Sequence, residues 1–241
     1  FTGGLDTTTG PTGTNVAGIV QTTNTQMDLG ATTMLANTTL RSGSGAINLA
    51  SITDGVSSFT LSLGSATQTG AVTTAGNATF NTLTTFANGY NIAFNGTTTT
   101  VDTDTNFLNT GTVTLGNDAG DTVTFTGGLD TTTGPTGTNV AGTLLTTNGQ
   151  IDLGTTTFTD DASVTAGASN LNIVMITTTP NRNLSLIAGL KLTLPAQAIN
   201  TGTGALTLRS NGGTLATNGN ITGGAVTLFG STGLTIGHDV T

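Results

Sequence analysis

The chain has 241 residues, and 62 Thr, 36 Gly and 22 Asn make up half of it, while Glu is absent, Lys and Arg together number four, and twelve Asp set a net charge of −8. Too few good helix formers remain for the Glu/Lys/Leu-patterned helices of an ordinary enzyme. The acidic balance, with Arg41, Arg182, Lys191 and Arg209 scattered singly, excludes nucleic acid and anionic membrane as partners, because both need clustered cations.

The chain opens on Phe1–Gly18, FTGGLDTTTGPTGTNVAG, and the same letters return at Phe125–Gly142, an offset of 124 residues. Downstream the letters drift but apolar places persist: Met27 faces Ile151, Leu29 faces Leu153, Met34 faces Phe158 and Leu49 faces Ile173. The chain has no initiator Met or signal peptide and starts inside a repeated unit, as a segment of something longer would.

Short alternating runs follow one another: AINLA at Ala46, FTLSLG at Phe59, YNIAFNG at Tyr90, GTVTLG at Gly111, DTVTF at Asp121, QIDLG at Gln150, ALTLRS at Ala205, AVTLFG at Ala225 and LTIG at Leu234. Alternation is the signature of a half-buried strand, and the Gly, Asn, Ser and Asp between runs are turn residues. LNIVMI at Leu171 and LSLIAGLKLTLP at Leu184 are too short or interrupted to span a bilayer.

From Ile92 to Val113 the step is 21 residues, and six such steps nearly fill the 124-residue unit. This fits an all-β parallel solenoid with about 20 residues per coil. If the unit is six whole coils, both copies of the opening block leave the same side of the rod. Residues 1–241 then form one continuous solenoid with long repeats at 1–124 and 125–241. Tandem immunoglobulin-like sandwiches are the alternative; zero Trp, one Tyr, four Pro and the finer period weigh against them.

TGAVTTAGNATFNTL at Thr69–Leu83 and NTGTVTLGNDAGDTVTFTGG at Asn109–Gly128, with GAINLAS at Gly45 and GALTLRSNGG at Gly204, resemble the repeat regions of filamentous-haemagglutinin-like exoproteins. The resemblance implies a right-handed parallel β-helix on the bacterial cell surface, exported by two-partner secretion or as an autotransporter passenger.

Chemistry-bearing groups are few. With no Cys and a single His, a disulfide, a thiol nucleophile and a tetrahedral zinc site are all out of reach. His238, in GHDV, reads as a turn residue. Three carboxylate pairs are candidate Ca²⁺ ligands or acid/base partners: Asp102 and Asp104, Asp118 and Asp121, Asp160 and Asp161. Each is flanked by Gly, Thr or Asn, where Asp serves turns through local hydrogen bonds, and no catalytic or cofactor residue is assigned.

Thr triplets such as Thr112–Thr114 and Thr122–Thr124 are similar to the outward ladders of ice-binding solenoids, but their sequence spacings are irregular, so filling of inward columns is the expected role. Phe80, Phe94 and Phe125 read as inward stacks.

These features point to a stiff, non-enzymatic structural or adhesive segment of an extracellular filament, associating with itself end to end or laterally. Polysaccharide binding or degradation and ice binding are the alternatives.

Overall fold

The computed structural model describes residues 1–56 and 58–241. Every regular element among them is a β-strand, and every registered pairing is parallel. No helix is long and apolar enough to cross a membrane.

The strands wind into a β-solenoid of about 11 turns. Three inward columns of side chains run along it, one behind each face. The first passes through Leu5, Met27, Ile47, Val72, Ile92, Val113, Thr138, Thr156 and Ile176. The second passes through Thr14, Thr32, Ile52, Ala78, Thr99, Val123, Leu144, Val164, Leu186, Leu208 and Leu228. On the third lie Thr38, Leu61 and Leu83, then Thr105, Leu129, Ile151, Leu171 and Leu192. The ten steps of the second column give a rod about 48 Å long at a strand spacing of about 4.8 Å. The step from Ile92 to Val113 read from the sequence is a true register pair.

The long strand Met27–Arg41 passes all three faces, with Met27 in the first column, Thr32 in the second and Thr38 in the third. Its repeat counterpart, Ile151–Ala166, also makes this circuit but starts one face away: Ile151 is in the third column, Thr156 in the first and Val164 in the second. Five rungs of the first column, Met27, Ile47, Val72, Ile92 and Val113, separate Leu5 from its repeat copy Leu129, and Leu129 is reached before the sixth, Thr138. The repeat therefore stops one face short of six turns. This corrects the expectation of six whole coils: the two identical blocks sit on neighbouring faces. The duplication is tolerated because inwardness is conserved where the column is not; Met27, Ile151, Leu29, Leu153, Met34, Phe158, Leu49 and Ile173 are all buried.

The core fills the interior without a break across the repeat boundary. Phe80 and Phe94 pack at 6.4 Å between ring centroids, and Phe107 meets Phe125 edge-on at 6.0 Å, the offset geometries that aromatic quadrupoles favour. Buried Tyr90 donates its hydroxyl to Leu63 O at 2.7 Å and accepts from Phe86 N at 2.9 Å. Burial pushes its pKa up to about 12.

Corners explain the Thr, Asn and Gly. A buried hydroxyl at a bend donates to the carbonyl three residues on, as in Thr146 to Gly149 O at 2.6 Å and Thr201 to Gly204 O at 2.8 Å. Asn side chains tie one coil to the next: Asn37, Asn77, Asn91 and Asn183 accept from the backbone N–H of Thr60, Thr98, Thr112 and Ala205, each 21 to 23 residues later. Asn is suited to this because its amide oxygen replaces a backbone acceptor where the ladder bends away. Glycines stack where turns of adjacent coils touch; a Cβ on Gly70 would lie 1.7 Å from Gly45 O, and one on Gly189 the same distance from Gly167 O.

Candidate functional site: outward ladders and grooves

Parallel stacking places outward side chains in files as regular as the inward columns. The carboxylates singled out from the sequence are not gathered by it. Asp121 is buried, and its Oδ2 accepts from Asn117 N at 2.8 Å and Asp118 N at 3.1 Å, while Asp118 Oδ1 accepts from Gly120 N at 3.0 Å. This pair holds a turn. Asp160 pairs with Arg182 at 2.9 Å, the one ion pair among the described residues, and Asp161 accepts from Asn183 N at 2.8 Å and Asn183 Nδ2 at 2.9 Å. Asp102 and Asp104 lie at a corner, Asp104 against the backbone of Gly128. Among the described residues no three carboxylate or imidazole groups converge. His238 sits on an exposed bend.

Stacking does align carboxylates that the local pattern leaves unmarked. Asp6 lies beside Asp28 on the first face, and Asp130 beside Asp152 on the third. Each site is dressed alike: Asp6 and Asp130 accept from Thr8 and Thr132, and Asp28 and Asp152 accept from Gln26 and Gln150 and from Asn48 and Asn172. The Thr8 hydroxyl, with its backbone N–H, holds the Asp6 carboxyl below its ordinary range. The repeated LDTTTG and QMDLG or QIDLG strings were the available signal, but a coil of about 20 residues does not say which pairs align when the step varies, as from 25 between Val113 and Thr138 to 18 between Thr138 and Thr156.

On the second face the outward file one residue before the column is Thr98, Thr122, Thr143, Ser163, Ser185, Thr207 and Thr227, seven hydroxyls on seven successive rungs. The file beside it carries Thr33, Thr53, Thr79, Thr100 and Thr124. The sequence spacings look irregular because turns absorb between 20 and 24 residues per coil in this file; register removes the irregularity. Thr112 and Thr114, like Thr122 and Thr124, thus point outward, a correction to their expected column-filling role, whereas Thr99, Thr105 and Thr138 do fill columns. Thr143, Ser163, Ser185 and Thr207 line a shallow groove of about 260 Å³ walled by Ala119.

The sequence matches no family model and no curated protein, and the structure matches no solved structure. Function is therefore read from the geometry of the rod and its surface.

A second groove, of about 580 Å³, crosses the rungs at the corner beyond the third face. It is lined by Gln21, Asn24, Thr39, Arg41, Ser65 and Phe86, among others. Arg41 Nε donates to Gln21 Oε1 at 2.9 Å, and both residues line the groove. A planar cation, amides, hydroxyls and one aromatic ring make a binding surface of mixed polar and apolar character.

Proposed function

We propose that the chain is a structural element, a stiff β-solenoid rod serving as a stalk or spacer segment of an extracellular bacterial surface filament or adhesin. The unbroken second column, Thr14 to Leu228, carries this reading. Each coil is bonded to the next along its backbone and stapled by Asn at corners, so bending the rod means breaking several ladders together. The four scattered cations leave few trypsin-type cleavage sites. The surface location rests on the textural resemblance of the repeats. Electron microscopy of the isolated chain tests the shape: rods about 48 Å long support it, and globular particles would defeat it. Labelling of intact bacteria with antibodies raised against the isolated chain tests the location: labelled cells support it, and labelling only after lysis would defeat it.

A second reading, polysaccharide binding, is favoured by the corner groove around Arg41. Affinity electrophoresis through gels containing soluble polysaccharides, with Arg41→Ala and Phe86→Ala chains as comparisons, tests it; equal migration of all three chains with and without glycan would end it.

A further inference from the structure

We infer that the second face, along the hydroxyl file from Thr98 to Thr227, is a lateral docking surface for a second copy of this chain. A file of seven outward Thr and Ser, with no hydrogen bond from any of these hydroxyls to another protein group among the described residues, spans about 29 Å at the strand spacing.

Three properties select a second copy as occupant. The first is period. A partner must offer complementary groups at the rise of a parallel β-solenoid, and another solenoid of this sequence does so on every rung. The second is chemistry: each hydroxyl both donates and accepts, so a file of them complements itself, which carboxylates or ammonium groups cannot do. The third is charge. With a net charge of −8, two copies repel overall, and Asp6 with Asp28 and Asp130 with Asp152 place paired negative charges on the other two faces. The hydroxyl file itself is uncharged, and the charges flanking it on this face, Asp161 in the same groove and Arg209 in the neighbouring outward file, are single and of opposite sign. Small Thr and Ser side chains also let two sheet faces approach closely, as in dry sheet interfaces.

A file about 29 Å long and about 10 Å wide contributes roughly 300 Å² per rod, about 600 Å² in all, below the roughly 1,200 Å² of a stable interface. The contact is therefore transient for one segment of this length, and covalent trapping detects it better than isolation of a dimer. The absence of Cys gives a clean background. Ser163 is the central rung of the seven, so it faces its own copy whether the rods pair parallel or antiparallel about a two-fold axis.

The test is disulfide formation under mild oxidation of Ser163→Cys chains, against Thr73→Cys, which lies outward on the first face. Trapping of Ser163→Cys at least about tenfold faster, slowed to the Thr73→Cys rate by adding Ser185→Lys, is the expected result. Should Ser163→Cys fail to fold by circular dichroism, an equimolar mixture of Thr143→Cys and Ser185→Cys replaces it; these couple with each other in antiparallel pairs and each with itself in parallel ones, either result supporting the docking. Equal rates for face and control overturn it. Retention of labelled, untrapped Ser163→Cys on insoluble cellulose, or ice-recrystallisation inhibition lost in Ser163→Lys, would give the face to a glycan or to ice and overturn it equally. The inference rests on the rod shape alone, and a failed trap leaves the measured rod length, and so the proposed structural role, untouched.

Discussion

Leu5 and Leu129 are equivalent in the 124-residue repeat yet lie in different columns: Leu5 heads the file that reaches Thr138, and Leu129 stands between Thr105 and Ile151. The repeat of the sequence and the turn of the solenoid are thus different units. What the fold requires is that an inward residue arrive at each face in turn, and the length of chain between faces is free.

Whole turns should therefore be removable. Deleting residues 151–170 brings Leu171 to the place of Ile151, its register partner. The shortened chain is expected to fold cooperatively, with its denaturant m-value reduced in proportion to the residues removed. Deleting only 151–160 puts the downstream faces out of step, and a broad, low-temperature unfolding transition is expected by circular dichroism.

Thr99 fills the second column between Ala78 and Val123, fully buried, and its hydroxyl has no partner among the described residues. Thr99→Val keeps the branched shape and removes a desolvated polar atom. Stability should rise by about 1 kcal/mol. Chemical denaturation that found Thr99→Val less stable would show that the hydroxyl is satisfied.

Gln68 is buried at a corner and ties two successive coils together. Its Oε1 accepts from Ser42 N at 2.9 Å, and its Nε2 donates to Ser42 Oγ at 3.0 Å and Gly70 O at 2.8 Å. Gln68→Ala strands those partners in the interior and should cost about 2–4 kcal/mol. A loss below about 0.5 kcal/mol, the level of an ordinary surface change, would refute the network.

Gly70→Ala places a Cβ 1.7 Å from Gly45 O, a backbone atom that cannot swing aside. Two coils must separate at that corner. A loss of at least about 2 kcal/mol is expected in thermal or denaturant unfolding, whereas Gly3→Ala, with open space around it, should be near neutral.

Tyr90 is the single tyrosine, so phenolate absorbance reports it alone. Its folded pKa is raised to about 12 from 10.0. Below pH 10 both folded and unfolded chains keep the proton, and stability does not vary with pH through this group. Between about 10 and 12 the unfolded chain has released the proton and the folded chain still holds it, so stability falls as pH rises. A native titration midpoint near 10 would contradict the buried placement.

Strand class and pitch were legible in the sequence. Alternating runs such as GTVTLG and YNIAFNG made strands the only economical reading, and the 21-residue step from Ile92 to Val113 was already a register pair. The inward Phe were legible too, because alternation states which side chains share a face. The acidic pairs and the hydroxyl file were not. Asp6 and Asp28, or Thr122 and Thr143, become neighbours only when turns of unequal length have been closed and the ladders aligned. The displacement of the duplicated block to the neighbouring face was hidden for the same reason: local pattern fixes whether a residue points in or out, and only the stacked coils decide which column it joins.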